Sequence, residues 1–303
     1  MRVSLITTVH NVEPYIRECV LSLMEQTYPD IEFLFIDDAS TDGSLRILEE
    51  TVALYPRREV RIIRRETNGG IARVRMQALE EMTGDYFVFS DSDDTVEKDF
   101  VEAMVSQAEA QQADIVCCDV VKEYSDGKAK LQKAWKKTPA DGRDAALAVL
   151  RGDMPGYMCN KLIASPLARG IIAPVDCYQE DMAMMVQIFF RCTRVVRVEK
   201  ALYHYKRRRS GAITASSWRR KHRASAANMN ALYDALPEGP LKETCGADIA
   251  LRAGWYSLTA DGLGGLRNCP QSVLEAIRKA PRIKGCRVPP WSQALLKLAC
   301  RML

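Results

Sequence analysis

Three carboxylates, Asp91, Asp93 and Asp94, directly follow an apolar run at 87–90. Hard cations such as Mg²⁺ and Mn²⁺ take oxygen ligands and keep open positions for the phosphate groups of a substrate. Carboxylates at the end of a strand can therefore hold a divalent cation against a diphosphate. Acidic turns after strands are also common surface features, so this motif alone does not decide the chemistry.

The elements that must position these side chains alternate between strand and helix over about the first 115 residues. Apolar and β-branched runs predict strands, and apolar residues at helical spacing predict helices. The predicted strands cover 3–9, 31–36, 60–64, 86–90 and 114–119, and the predicted helices cover 14–26, 44–54, 71–82 and 98–110. This alternation is typical of an α/β fold whose parallel sheet is covered on both faces.

In such sheets ligands bind beyond the carboxyl ends of the strands. A second acidic pair, Asp37-Asp38, follows the predicted strand at 31–36, as Asp91 and Asp93 follow the strand at 86–90. We therefore expect these carboxylates to share one edge of the sheet. Further along, Asp126-Gly127 predicts a hairpin turn, and beyond Trp218 the pattern becomes mostly helical.

Length and composition narrow the class of protein. The 303 residues, 47% of them hydrophobic, are enough for one large domain and a smaller region with its own core. A net charge of +4 is too small to indicate a nucleic-acid-binding protein. The ten cysteines form no CxxC pair and no metal-ligand spacing with the three histidines, which predicts reduced thiols. With neither a signal-peptide pattern nor an apolar run of about eighteen residues, we expect a cytoplasmic protein.

Several motifs occur in an order that resembles a known family. Residues 3–11 read VSLITTVHN, and residues 36–44 read IDDASTDGS. Both resemble motifs of the inverting glycosyltransferases of family 2, which have the GT-A fold, and the resemblance covers roughly residues 3–215. It implies a central, mostly parallel sheet flanked by helices. It also implies that the donor is a nucleotide sugar, most often a UDP-sugar, and that the cofactor is Mn²⁺ or Mg²⁺.

The resemblance also implies roles for residues at the donor side. Asp38 would accept a hydrogen bond from the nucleotide base, and Thr8 would border the same base. Arg75, from a segment similar to the family's NxG…ARN motif, would contact the nucleotide or its phosphates. Asp93 would bind the metal directly, and Asp91 would face the ribose or a metal-bound water. An alternative for residues 40–44 is a capping cluster for the following helix.

On the acceptor side, the family has an NKL element and an acidic pair that opens a helix. Asn160 matches the first and would line the acceptor site, although a buried Asn bonded to the backbone is an equally good account. Glu180 and Asp181 match the second, with Glu180 beside the acceptor. Inversion requires a general base that takes the acceptor hydroxyl proton, and Asp181 is our choice. Carboxylates in a first helical turn are also favoured by the macrodipole, which is the alternative for both acids.

Residues 203–210 resemble the family loop that closes over the diphosphate. Arg207 and Arg209 would stabilise the leaving group electrostatically. His204 would join the metal or phosphate shell, although a lone histidine is more often structural.

We expect the whole chain to divide into three consecutive parts. These are a nucleotide-sugar-binding half at 1–115, an acceptor-binding and catalytic half at 116–215, and a helical C-terminal region at 216–303. Residues 291–303 predict an amphipathic helix with Lys297 and Arg301 one turn apart. Such a helix can lie on an anionic membrane surface, which would suit a lipid-linked acceptor at the inner face of the cell membrane. Packing on the catalytic domain or on a second subunit of a homo-oligomer is the alternative.

The resemblance implies that the acceptor is a hydroxyl of a polysaccharide or glycolipid.

The sequence also bears on three other functions. A nucleotidyltransferase would need an early glycine-rich phosphate loop, and 7–11 contains no glycine. A dinucleotide dehydrogenase would need GxGxxG after the first strand, and this motif is absent there. A catalytically idle nucleotide-sugar-binding or scaffold protein stays open, because Met76, Cys159 and Ala212 depart from the family pattern.

Overall fold

The computed structural model describes residues 1–207, 217–281, 283, 288 and 290–303. The chain forms two compact units built from interleaved segments. The first consists of Met1–Lys136, Tyr157–Arg169 and Cys192–Arg209, and the second of Lys137–Gly156, Gly170–Arg191 and Ser210–Leu303. This division differs from three consecutive parts because two later strands return to the sheet of the first unit.

The first unit is built on one mixed sheet. Its strands are β1 Val3–Val9, β2 Ile31–Asp37, β3 Glu59–Arg64, β4 Tyr86–Asp91, β5 Thr95–Val96, β6 Ile115–Tyr124, β7 Ala129–Gln132, β8 Lys161–Ala164 and β9 Val195–Arg207. The order is β3-β2-β1-β4-β8-β6-β9-β5, and β7 pairs with β6. The pairs β3-β2, β2-β1, β1-β4 and β6-β9 are parallel, whereas β8 is antiparallel to both β4 and β6.

Four helices complete the first unit, α1 Ile16–Met24, α2 Ser44–Val52, α3 Ile71–Glu81 and α4 Phe100–Gln111. All seven residues of β1 and all seven of β2 are buried, as expected for central strands whose two faces are both covered. Helix α1 buries the apolar positions that predicted it, including Cys19, Val20 and Leu23. The α/β fold predicted from the sequence is confirmed.

The strand predicted at 114–119 is longer than expected. Strand β6 runs to Tyr124 because its second half pairs with β7 in a hairpin. The predicted turn lies at Gly127, whose φ of +82° is a left-handed conformation that glycine adopts without steric cost.

The second unit is helical. Its helices are α5 Gly142–Arg151, α6 Glu180–Arg191, α7 Trp218–Ala235, α8 Pro240–Arg267, α9 Gln271–Lys279 and α10 Pro290–Met302. Helix α8 breaks near its end, where Gly262 has a φ of +62°. Helices α8, α9 and α10 pack closely at Gly254, where a Cβ would lie 2.5 Å from Ile277 Cδ1 and 3.3 Å from Leu296 Cδ1. The predicted helical C-terminal region is confirmed.

None of the helices in the described ranges combines the length and the apolar composition that crossing a bilayer requires.

Candidate active site

The parallel strands bring the predicted donor-side residues to one edge of the sheet. Thr8, near the end of β1, is in register with Ile36 of β2 on one side and with Asp91 of β4 on the other. Asp38 follows β2 directly, and its amide donates to the carbonyl of Val9 at 2.8 Å. The expected common edge is confirmed by this register.

The Asp38 carboxylate holds the glycine turn that precedes α3. Its two oxygens accept hydrogen bonds from the amides of Gly69 and Gly70, each at 2.8 Å. Arg65 Nε lies 3.1 Å from Oδ1. Gly70 has a φ of +80°, which suits glycine and lets the backbone turn into the helix. Asp38 therefore fixes the conformation of the glycine turn at this edge of the sheet.

Two non-glycine residues at this edge adopt left-handed backbone conformations. Asn11 has a φ of 49° and Ala39 a φ of 55°. Asn11 Oδ1 accepts from the amide of Thr41 at 2.8 Å, which ties the turn after β1 to the turn after β2. Such conformations persist where surrounding contacts fix them, and they cluster at binding sites.

Arg75 lies on α3 and is buried against the end of β4. One of its terminal nitrogens is 3.2 Å from Asp91 Oδ1, and its guanidinium carbon lies 5.6 Å from the centre of the Phe89 ring. The pairing orients the Asp91 carboxylate at the strand end. Arg73, two residues earlier on the same helix, is exposed.

Asp94 is the buried member of the acidic cluster. Burial raises its pKa well above the usual range, and the nearby charges of Asp91 and Asp93 raise it further. Its carboxylate accepts from the Tyr203 hydroxyl and from the Lys206 amide, both at 2.7 Å. The raised pKa favours the protonated, neutral form of Asp94, so Asp91 and Asp93 are the partly exposed carboxylates that the cluster presents at the strand end.

This donor set fits a hard divalent cation. Within the described ranges, no three Cys, His, Asp or Glu side chains form a group that could hold a metal ion by themselves. Mg²⁺ is usually held by one or two carboxylates together with substrate phosphate and water. Asp91 and Asp93 supply such carboxylates, because both are partly exposed at the end of β4.

His204 has both ring nitrogens engaged. Nδ1 lies 3.0 Å from Glu123 Oε1, and Nε2 lies 2.9 Å from Glu97 Oε1. A role as metal ligand would require the loss of one of these contacts.

The basic segment, residues 206–209, begins with the last two residues of β9, and only those two are described. Lys206 forms an ion pair with Glu18, and the Arg207 guanidinium lies over the Tyr124 ring, 5.4 Å from its centre. Arg209 lies outside the described residues.

Asn160 is fully buried and lies in the turn directly before β8. Its Nδ2 donates to the carbonyl of Cys118 at 2.7 Å, and its Oδ1 accepts from Lys161 Nζ at 2.7 Å. These contacts correspond to the structural alternative, in which the side chain serves the backbone.

In the second unit, Glu180 and Asp181 are the first two residues of α6. Glu180 is buried, whereas Asp181 is partly exposed. Asp181 Oδ1 accepts from the amide of Met182 at 2.7 Å. Gln179, immediately before the pair, has a φ of 60°. Of the two acids, Asp181 is the one that can reach a ligand.

Two residues of the first unit were missed by sequence reasoning. His10 lies 2.9 Å from the carbonyl of Asp38 and 2.8 Å from Asn68 Nδ2, so it braces the glycine turn. The fully buried Tyr203 donates to Asp94 and accepts from the amide of Asp91 at 3.1 Å. His10 stands within the VHN motif, but no sequence signal links Tyr203 to the acidic cluster across more than a hundred residues.

Comparison with known proteins identifies the family. The model of glycosyl transferase family 2 matches residues 4–159. The putative glycosyltransferase EpsH of Bacillus subtilis is 33% identical over 218 residues, which cover 67% of this chain and 60% of that protein. The glycosyltransferase GlyG of Streptococcus pneumoniae is 27% identical over 237 residues, which cover 72% of this chain and 76% of that protein.

Solved structures agree on the fold. TarS 1-349 of S. aureus in complex with UDP-GlcNAc superposes with a TM-score of 0.67 at 19% identity, covering 100% of this chain and 92% of that one. The mannosyltransferase PcManGT of Pyrobaculum calidifontis, in complex with GDP-Man and Mn²⁺, gives 0.56 at 17% identity, covering 99% and 86%. With the family model matching half of the chain, the resemblance seen in the motifs is confirmed: this protein belongs to glycosyltransferase family 2 and has the GT-A fold.

Proposed function

We propose that this protein is an inverting glycosyltransferase that moves a sugar from a UDP-sugar to a hydroxyl of a polysaccharide or glycolipid. The observation that carries the proposal is the acidic cluster of Asp91, Asp93 and Asp94 at the carboxyl edge of the parallel strands. The fold neighbours support it, because one is in complex with UDP-GlcNAc and another with GDP-Man and Mn²⁺.

On the donor side, Thr8 and the Asp38 turn border the base, and Asp91, oriented by Arg75, faces the ribose. Asp93, with Asp91, would hold Mn²⁺ or Mg²⁺. A bound divalent cation would neutralise the charge that develops on the leaving diphosphate. Arg207 and Arg209 add positive charge for the same group.

On the acceptor side, Asp181 takes the proton of the acceptor hydroxyl as its oxygen attacks the anomeric carbon. The attack is opposite the leaving diphosphate, so the configuration inverts. Glu180 is buried beside it in the first turn of α6, whereas the contacts of Asn160 serve the backbone of the first unit. We assign His204 a structural role, because its ring nitrogens contact Glu97 and Glu123 and thereby stabilise β9.

The donor assignment predicts a metal-dependent rise in melting temperature. A ligand that binds only the folded protein stabilises it by mass action, by about 2.7 kcal/mol at a hundred times its Kd. UDP, GDP, CMP and dTDP compounds are compared by thermal shift with and without Mn²⁺, and we expect a Mn²⁺-dependent shift with UDP compounds. A shift with a different nucleotide would reassign the donor. Binding of a UDP-sugar without transfer or hydrolysis would favour the catalytically idle alternative.

The C-terminal helix supports peripheral attachment to a membrane. Helix α10 packs in the second unit through one side, and Arg278 Nε donates to the carbonyl of Cys300 at 2.9 Å. The opposite side exposes an apolar stripe at successive turns: Trp291, Leu295, Leu298 and Met302, which are 53–73% exposed. Residues 267–303 contain eight lysines and arginines and one glutamate. An exposed apolar stripe in a strongly basic segment is complementary to an anionic lipid surface.

We expect the protein to sediment with vesicles that contain phosphatidylglycerol and to bind pure phosphatidylcholine vesicles much less. Replacing Trp291 and Leu295 with Ser removes exposed apolar area that the lipid surface would bury. Vesicle binding should therefore weaken by about tenfold or more. Leu131→Ser is the matched control, because Leu131 is 54% exposed on β7 of the first unit. Unchanged vesicle binding by the double variant would exclude this surface. A dimer in solution that the same variant dissociates would assign the stripe to a second copy of the chain.

A further inference from the structure

The segment that carries Asp181 is held by buried polar side chains of the second unit. It runs from Val175 to Met182 and consists of a stretch without regular structure followed by the first turn of α6. Gln179, within it, has a left-handed backbone with a φ of 60°, which is unfavourable for a residue other than glycine. Such a conformation persists only where neighbouring contacts determine it.

Asn228 of α7 makes four of those contacts. Its Oδ1 accepts from the amides of Val175 and Asp176 at 2.8 and 2.9 Å. Its Nδ2 donates to the carbonyls of Asp176 and Tyr178, both at 3.0 Å. An asparagine side chain offers two acceptor sites and two donors, and here every one of them is used on the same short segment. Asn228 is 1% exposed, so no water competes for these bonds.

Helix α8 holds the other end of the segment. Tyr256 accepts a hydrogen bond from Gln179 Nε2 at 3.3 Å and one from Arg252 at 3.1 Å. The same Arg252 nitrogen lies 3.4 Å from Met182 Sδ, and its Nε donates to the carbonyl of Leu150 at 2.7 Å. Arg252 is the largest fully buried side chain of the protein's described part. Arg252 thus contacts Met182, the residue after Asp181, and through Tyr256 it is linked to Gln179, two residues before Asp181.

We propose that Asn228, Tyr256 and Arg252 are positioning residues that fix the orientation of the Asp181 carboxylate. The C-terminal helices then affect catalysis indirectly, through the hydrogen bonds that hold the segment 175–182. This inference rests on the proposed role of Asp181 as general base. Positioning of a base matters because a displacement of about 1 Å can cost a factor of about a hundred in rate.

The test compares Asn228→Ala and Tyr256→Phe with Ser225→Ala. Tyr256→Phe removes one hydroxyl and keeps the ring, so it serves if the first variant folds poorly. Ser225 is a suitable control because it is fully buried on α7, and its hydroxyl donates to Lys221 of the same helix. We expect the two test variants to lower kcat by about tenfold or more and to leave the KM for the donor within about threefold, whereas the control changes neither.

Two further readouts separate positioning from stability. Hydrogen exchange at the amides of Val175 and Asp176 should become faster in Asn228→Ala, since both amides lose their acceptor. Combined with Asp181→Asn, either test variant should cause almost no additional loss of kcat, because residues that act as a unit are not additive. Additive losses, or a normal kcat in both single variants, would overturn the inference. If Asp181→Asn itself keeps its turnover, the general-base assignment fails first, and the inference fails with it.

Discussion

Replacing Asp181 with Asn will nearly abolish sugar transfer and leave binding of the nucleotide sugar almost unchanged. The substitution keeps the shape of the side chain but removes its ability to take a proton. General bases contribute factors of about 10²–10⁴ to rate, so kcat should fall by that amount. Because Asp181 makes no contact with the donor in the proposed reaction, the nucleotide-dependent thermal shift should keep its size. Transfer is measured as release of UDP with the donor that the nucleotide screen selects.

The alternative account of Asp181 is a helix-terminus carboxylate, and a matched variant tests it. Asp144 stands in the first turn of α5, and its carboxylate accepts from the amide of Ala140 at 3.0 Å. Asp144→Asn therefore removes the same charge from the same kind of position. If charge at a helix start were all that mattered, both variants would lose at most about 1 kcal/mol of stability and keep their turnover. Near-normal kcat in Asp181→Asn would end its assignment as the base.

The sequence was sufficient for the parallel half of the fold. Strands β1 to β4 and helices α1 to α4 follow from apolar periodicity, and their bounds differ from the predicted ones by about two residues. The common edge that brings Thr8, Asp38 and Asp91 together follows from the rule on strand ends. These features are local, or depend on neighbouring elements in the chain, so a pattern along the sequence can carry them.

Long-range contacts could not be predicted. Tyr203 and Asp94 are 109 positions apart, and their hydrogen bond depends on the register of β9 beside β6 and β5. Asn228 similarly reaches back 50 to 53 positions to its segment. In neither case does the residue type reveal its partner. The burial of Asn160 also depends on tertiary packing, which is why the sequence left two accounts of it open.

Contacts with other elements of the first unit hold two carboxylates of the acidic cluster in place. Asp94 is fixed by Tyr203 and by the Lys206 amide, so the strand that leads into the basic segment is tied to the acidic residues. Asp91 is fixed by Arg75. Both arrangements hold carboxylates in place before a ligand arrives, which lowers the cost of ordering them on binding. Asp93 has a separate role in the proposed function, as the direct ligand of the metal, and this role can be tested by substitution.

Asp93→Ala will weaken the Mn²⁺-dependent part of donor binding. In the proposed site Asp93 is the direct ligand, so its loss should reduce the additional thermal shift that Mn²⁺ gives with UDP. Stabilisation of the leaving diphosphate should suffer as well, and we expect kcat to fall by about 10²-fold or more. The smaller shift that UDP gives without metal should persist, because Thr8 and the Asp38 turn are untouched. Asp126→Ala, at the exposed hairpin turn between β6 and β7, is the control and should behave as the unmodified protein.

The metal titration decides between two accounts of Asp93→Ala. If Asp93 binds the metal, raising the Mn²⁺ concentration should recover part of the shift, since Asp91 and the diphosphate still supply oxygen ligands. If the variant instead only disturbs the fold of the β4 turn, its melting temperature should fall without any ligand, and Mn²⁺ should not restore the shift. A variant with the full Mn²⁺-dependent shift and normal turnover would show that the metal, if used, is held elsewhere. Asp91 and Asp93, which are partly exposed, would then belong to an acidic surface turn without a metal. That is the alternative that the sequence motif by itself leaves open.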